Sequence, residues 1–132
     1  MARDQLALFD ALPEDYTAFH AVDRALEALN IRRDSGHWEW MGNKYLLRVV
    51  GNHPSWSCVM VAFTFVTLRI TGRNLAEVAQ AIAEHHCNFI QEFDAQHWLQ
   101  PKDTSAAFIE RIEVIAGRSP DQVVAEMETH SA

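Results

Sequence analysis

Cysteine is scarce in this chain: Cys58 and Cys87 are the only two among 132 residues. They have neither the spacing of a metal site nor the number needed for a disulfide framework, so we expect no metal and no cofactor. A chain of this length can bury a core without such cross-links. With 48% apolar and 22% charged residues it is not a disordered acidic chain, and we expect one folded domain behind a short tail.

Long apolar runs are also lacking. The uncharged stretch 56–68 is too short to span a bilayer. The amino terminus carries Arg3 and Asp4 and has no apolar segment of the kind found in signal peptides. We therefore expect a cytoplasmic protein that makes no membrane contact.

Motifs for catalysis are missing as well. The sequence contains no Gly-x-Ser-x-Gly, no phosphate-loop pattern and no Gly-x-Gly-x-x-Gly. His85 and His86 are adjacent, so they cannot face the same way on a helix, and polar residues at a helix end explain them better than a metal or acid–base site. We assign no catalytic residue and favour a non-enzymatic protein. A small enzyme or ligand binder that uses His53, His85, His86 or His97 stays open as an alternative.

The charge is acidic but uneven. The net charge is −7, whereas residues 31–73 carry six basic and two acidic side chains. An acidic chain does not coat DNA by displacing counterions, so direct DNA binding is not expected. Lys44 and Arg48 within the basic stretch form a candidate contact patch. The alternative is that these charges are simply scattered over a solvated surface.

The hydrophobic pattern predicts an α+β fold, with a mostly antiparallel sheet of about five strands and about three helices. A stripe of Phe19, Val22, Leu26 and Leu29 predicts a helix over 13–30. A second helix is expected after an Asn74 cap and a third after Ser119, and strands are expected within 56–68, over 88–93 and over 108–115. The last strand depends on a weak internal repeat, 70–78 against 115–123, and a helix is its alternative.

Residues 37–50 are predicted to form a hairpin around Gly42-Asn43, with a two-residue II′ turn. In that register Trp38, Trp40 and Tyr45 share one face with Leu47, and Lys44 and Arg48 lie on the other. Aromatic residues gathered on one face of a hairpin are typical of a core. The alternative is that they are exposed and stack on bases.

The sharpest motif is Gln5-Leu6-Ala7-Leu8-Phe9, which resembles the peptide by which many bacterial proteins dock on the β sliding clamp. The resemblance implies that Gln5 hydrogen-bonds at the edge of a cleft on the clamp. It implies that Leu6 packs alongside and that Leu8 and Phe9 fill the apolar pocket. The competing interpretation is a short amphipathic turn, with Leu6, Phe9 and Leu12 packed on the domain.

Two functions follow from these observations. The first is a small non-enzymatic accessory or regulatory protein of DNA replication or repair, with residues 1–12 as a clamp-binding tail and 13–132 as a single α+β domain. The second is an acidic protein–protein interaction module of the antitoxin, immunity or adaptor type, unrelated to the clamp.

Overall fold

The protein is mostly β in the computed structural model, which describes residues 14–116. Strands account for 48% of these residues and helical segments for 11%. The predicted α+β fold of about five strands and three helices is therefore wrong. The elements are β1 (Glu14–Asp15), β2 (Phe19–Ala21), β3 (Ala28–Arg32), β4 (Trp38–Gly42), a 3₁₀ turn (Asn43–Tyr45), β5 (Leu46–Gly51), β6 (Cys58–Phe63), β7 (Thr67–Arg73), α1 (Ala76–Ala83), β8 (Cys87–Gln91), β9 (Trp98–Leu99) and β10 (Phe108–Ala116).

Eight of the strands form two four-stranded sheets. Sheet I has the order β2-β8-β3-β4 and is mixed, because β3 and β8 run parallel. Sheet II has the order β10-β7-β6-β5 and is antiparallel throughout. β1 and β9 add a parallel ladder of two residue pairs.

A single hydrophobic core joins both sheets and α1. Strand burial alternates, as in β6, where Val59, Val61 and Phe63 are buried and the residues between them are only partly so. Leu29, Ile31 and Ile90 of sheet I, Leu68 and Ile70 of sheet II, and Val78 and Ile82 of α1 belong to the same core. One face of sheet I therefore packs on this core, and the opposite face carries the exposed side chains of Trp38 and Trp40.

Tyr16 is a polar link between the two sheets. Its hydroxyl donates to the carbonyl of Gln91 in β8 and accepts from the N–H of Ile109 in β10, at 3.1 Å. Burial raises the pKa of Tyr16, because desolvation penalises the phenolate.

The helix predicted over 13–30 is wrong. Described residues of this range form β1, β2 and part of β3, and their backbone groups pair with distant segments. Val22 N–H donates to His86 O at 2.9 Å, and Leu26 N–H donates to His85 O at 2.8 Å. Tertiary pairing has thus overridden a helical apolar period, as it often does for a stripe of this length.

The hairpin predicted over 37–50 is wrong too. A II′ turn needs a positive φ at its first central residue, and Gly42 has φ −64°. Asn43 is buried instead. Its side-chain NH₂ donates a hydrogen bond to Leu26 O at 2.9 Å, and its backbone N–H donates to Glu27 O at 2.8 Å. The chain therefore passes from sheet I to sheet II at this point, and β4 pairs with β3 while β5 pairs with β6.

Other predicted elements are confirmed. α1, β8 and β10 lie where the pattern placed a helix and two strands. The expected strand within 56–68 is divided by a tight turn, in which Phe63 N–H donates to Val66 O at 2.8 Å. Asn74 is not the cap of α1; its φ is +57° and its side chain donates to the carbonyls of Thr104 and Ala106.

β7 and β10 approach very closely at Gly72. A Cβ at this position would lie 1.9 Å from the carbonyl oxygen of Phe108, so only glycine fits here.

The helix predicted after Ser119 lies outside the described residues. Within residues 14–116, no helix has the length and apolarity needed to cross a membrane.

Candidate binding surface

A row of rings with one guanidinium among them crosses the outer face of sheet I. Strand register brings these residues together, since His20 of β2 pairs with Phe89 of β8, and Arg32 of β3 pairs with Trp38 of β4. Trp40 lies two residues further along β4, so its side chain is on the same face of the sheet as that of Trp38. We call the set the aromatic–arginine row: His20, Phe89, Arg32, Trp38 and Trp40.

Contacts within the row run from one edge of the sheet to the other. The Arg32 guanidinium lies 3.9 Å from the ring centroid of Phe89 and 4.2 Å from that of Trp38. The Trp38 and Trp40 rings meet edge to face at 6.2 Å, and His20 stacks on Phe89 at the same distance. Each Arg32 contact is within the range in which a cation is attracted to a ring face.

Asn30 fixes the orientation of Arg32. It is buried in β3, where its side-chain oxygen accepts from Arg32 Nε at 2.6 Å and its amide donates to Glu39 O at 3.1 Å. Partial burial lowers the pKa of Arg32, because desolvation disfavours the charged form. The guanidinium is therefore held between two rings before any partner arrives.

The tryptophans of the row face solvent. Trp38 is 50% exposed and Trp40 is 64% exposed, so the prediction that they belong to the core is wrong. The expectation that both lie on one face of a strand is confirmed. Large aromatic side chains left outside the core, next to one another, mark an interaction surface better than scattered apolar residues do.

The backbone of β4 is also available beside the row. Arg33 N–H donates to His37 O, and Asn43 N–H donates to Glu27 O, which fixes the alternation of the β3–β4 ladder. Trp38 and Trp40 then occupy non-hydrogen-bonded positions, and their backbone groups point away from β3. Among residues 14–116 nothing pairs with that side of β4.

A cleft of about 450 Å³ adjoins the row at the end of β3. Arg32, Trp38 and Trp98 line it, together with Arg33 and the side chains of Asp94 and His97. The Nε of Arg33 is buried and has no hydrogen-bond partner within the described part of the chain. A buried donor without an acceptor is uncommon in folded proteins.

Asp94 and His97 form a pair at the mouth of the cleft. The Asp94 carboxylate accepts from Gln96 N–H at 2.9 Å and contacts His97 Nδ1 at 2.5 Å. These hydrogen bonds, the one from Gln96 first, lower the pKa of Asp94. The carboxylate is thus engaged within its own turn.

Glu92 also lines the cleft, and its hydrogen bonds connect separate parts of the fold. It is buried, with one carboxylate oxygen accepting from Asp34 N–H and the other from Ile112 N–H, both at 2.6 Å. Both oxygens are used by backbone donors that lie far apart in the sequence. Glu92 therefore ties the β3–β4 turn to β10.

The predicted contact residues Lys44 and Arg48 lie elsewhere. Both are exposed, Lys44 in the 3₁₀ turn and Arg48 on β5 opposite Ala62. Lys44 lies 5.1 Å from the ring of Tyr45, which in turn packs on Phe65 at 5.8 Å. Neither residue belongs to the aromatic–arginine row, and their role as a contact patch stays a prediction.

The four candidate histidines lie at different places. His97 is in the cleft, and His53 packs near Trp56 in the loop before β6. His85 and His86 follow α1. In the part of the chain that the structure describes, no group of three or more histidine, cysteine or acidic side chains is placed to hold a metal ion.

No sequence motif marked Arg32, His20 or Phe89 as site residues. They join the tryptophans through strand pairing between segments up to about 70 residues apart, which periodicity does not reveal.

The clamp-like peptide, Gln5, Leu6, Leu8 and Phe9, lies outside the described residues. No protein family, no curated protein and no solved structure matches this chain.

Proposed function

We propose that this protein is a non-enzymatic accessory or regulatory factor of DNA replication or repair, which docks on the bacterial sliding clamp through Gln5 to Phe9. The observation that carries the proposal is the peptide itself. Gln5, Leu6, Leu8 and Phe9 supply a glutamine amide and apolar anchors in the order of the clamp-binding peptide that they resemble. The protein acts in the cytoplasm, where the clamp works.

Docking can serve two mechanisms. In one, the peptide tethers the domain to the clamp and raises its effective concentration near DNA. In the other, the peptide competes with polymerases for the cleft. The exposed aromatic–arginine row supports tethering, because a competitor needs only its peptide, whereas a tethered domain needs a surface for a second contact.

Binding of the full chain to a purified bacterial β clamp, measured by calorimetry or surface plasmon resonance, tests the proposal. Burial of a leucine or phenylalanine contributes about 2 kcal/mol, so we expect Leu8→Ala or Phe9→Ala to weaken binding about 30-fold each. Ala7→Ser changes the one position that the motif leaves unspecified and should bind like the wild type. Absence of wild-type binding, or equal binding by Phe9→Ala and Ala7→Ser, would refute clamp docking.

The two mechanisms separate in a competition assay. A labelled polymerase peptide is bound to the clamp, and the full chain is added. Displacement of the label with loss of polymerase activity indicates an inhibitor. Docking that leaves the polymerase active at saturating clamp indicates a tether.

The alternative is an acidic protein–protein interaction module unrelated to the clamp. The free side of β4 favours it, since an extended peptide can add to a sheet edge by main-chain hydrogen bonds. This function predicts no clamp binding and retained partner binding by a Leu8→Ala, Phe9→Ala double variant. The same variant therefore distinguishes the two functions.

A further inference from the structure

We infer that the aromatic–arginine row is a stacking platform for single-stranded nucleic acid, in which Trp38 and Trp40 each receive a base. The inference does not depend on clamp docking, because it concerns residues of the folded domain. It is compatible with that docking, since a tethered protein near a replicating polymerase meets single strands.

The exposure of the two tryptophan side chains is the first observation. Trp38 and Trp40 are half or more exposed, whereas the inner face of the same sheet is closed by Leu29, Ile31 and Ile90. Every base has a π-face, so exposed rings on a sheet bind single strands with little sequence preference. The two ring centroids are 6.2 Å apart and the ring planes are inclined at 62°, so each ring would receive its own base.

The rigidity of the row is the second observation. Asn30 holds the Arg32 guanidinium against Trp38, and Phe89 holds it from the other side. Side chains already fixed in their binding geometry lose little conformational entropy when a ligand arrives. Arg32 thus serves as a support and as a positive charge within the platform.

Charge next to the row is the third observation. Arg32 and Arg33 both line the adjoining cleft and bring two positive charges to it. Three acidic residues line the same cleft: the carboxylates of Glu92 and Asp94 accept hydrogen bonds from N–H groups, and the third is Asp34, so among the described residues the two arginines face one carboxylate that is not engaged in this way. The site therefore offers cations for one or two phosphates, which suits a short single strand and not the many phosphates of a duplex.

A peptide is the competing occupant of this surface. A strand added to β4 would contact the backbone along that one edge. The row instead runs across the sheet, from His20 in β2 to Trp40 in β4, with the Arg32 guanidinium between the rings of Phe89 and Trp38. This direction favours a ligand that lies across the strands and stacks.

Fluorescence anisotropy of a labelled dT12 strand with the full chain tests the inference, beside a duplex of the same length. We expect single-strand binding at low salt and at least tenfold weaker duplex binding. Alanine substitution of a stacking ring weakens binding about 5- to 150-fold per base, so Trp40→Ala should lose this much. Trp40→Phe should recover most of the loss.

Phe65→Ala is the matched control, because Phe65 is 50% exposed, as Trp38 is, and lies outside the row. It should bind dT12 like the wild type. Because stacking carries most of the affinity, the slope of log K against log salt should lie between about −0.7 and −1.4, which corresponds to one or two phosphates. Trp40 is largely exposed, so its substitution leaves the core intact, and circular dichroism of each variant checks the fold.

Three results would overturn the inference. The first is no dT12 binding by the wild type in low salt. The second is an equal loss of binding by Trp40→Ala and Phe65→Ala. The third is binding of extended peptides, reduced by Trp40→Ala, with no binding of dT12, which would assign the row to a peptide partner.

Discussion

Glu92 allows a sharp test of how the two sheets are held together. Its carboxylate receives the N–H groups of Asp34 and Ile112, each at 2.6 Å, while the residue is only 6% exposed. Glu92→Gln keeps the size and shape of the side chain but replaces one oxygen by an NH₂ group. That group cannot accept a hydrogen bond, and it faces a backbone N–H that also only donates.

The size of the effect follows from this geometry. One of the two charge-assisted hydrogen bonds is lost, and a buried N–H is left without an acceptor. Leaving a buried donor unsatisfied costs about 1–3 kcal/mol, and hydrogen bonds to a charged group lie at the upper end. We expect Glu92→Gln to lower the free energy of unfolding by about 2–4 kcal/mol, a large part of the stability of a domain this size.

Urea denaturation followed by tryptophan fluorescence measures the change. With an m-value of about 2 kcal/mol/M, the midpoint should fall by about 1–2 M. Glu110→Gln is the control, because Glu110 is exposed on β10 two residues before Ile112, and its midpoint should stay within about 0.3 M of wild type. A Glu92→Gln protein as stable as the control would show that the carboxylate does not carry these two N–H groups.

Two further predictions concern the end of α1 and the buried thiol. His85 has φ +63°, and the N–H groups of His85 and His86 close a Schellman motif on the carbonyls of Ile82 and Ala81, a position that favours glycine. His85→Gly should therefore raise the free energy of unfolding by about 1 kcal/mol, measured by thermal denaturation. His86→Gly is the control and should not stabilise the protein. A destabilised His85→Gly protein would contradict this prediction. Burial raises the pKa of Cys87 from 9.0 to about 12, so ionisation of the unfolded thiol should reduce stability progressively from about pH 9 to pH 12, with a slope of at most about 1.4 kcal/mol per pH unit. Cys87→Ala should flatten this part of a stability–pH curve, and an unchanged curve would count against it.

Local patterns were sufficient for some elements. The apolar stripe of α1 and the short segment of β8 predicted these elements because each signal lies within a single segment, and the strand β10 was predicted from the weak repeat of 70–78 in 115–123. The helix prediction over 13–30 failed because an apolar stripe with the helical period of 3.6 competed with a weaker strand-like period of two. Tyr16 and Ala18, then Leu29 and Ile31, are the apolar residues that this part of the chain buries, and their alternation was the available sign of strands.

The candidate surface was predictable only in part. Alternation along β4 correctly placed Trp38 and Trp40 on the same face. The face of β4 that meets the core depends on how sheet I packs against the rest of the protein. The pairing of Arg32 with Trp38 depends on β3, a strand that lies in the segment for which the apolar pattern predicted a helix. Exposure of the tryptophans is therefore a tertiary property that a segment of sequence cannot specify by itself.

Asn30 connects the fold to the proposed activity. It lies between Leu29 and Ile31 in the middle of a sheet, where an apolar or β-branched residue would cost less to bury. Its hydrogen bonds go to Arg32 and to Glu39 O, which means that the residue orients the guanidinium between Trp38 and Phe89. A sheet selected for stability alone does not need an oriented arginine on its outer face. The buried asparagine is thus a structural reason, independent of ring exposure, to regard the aromatic–arginine row as a surface built for binding.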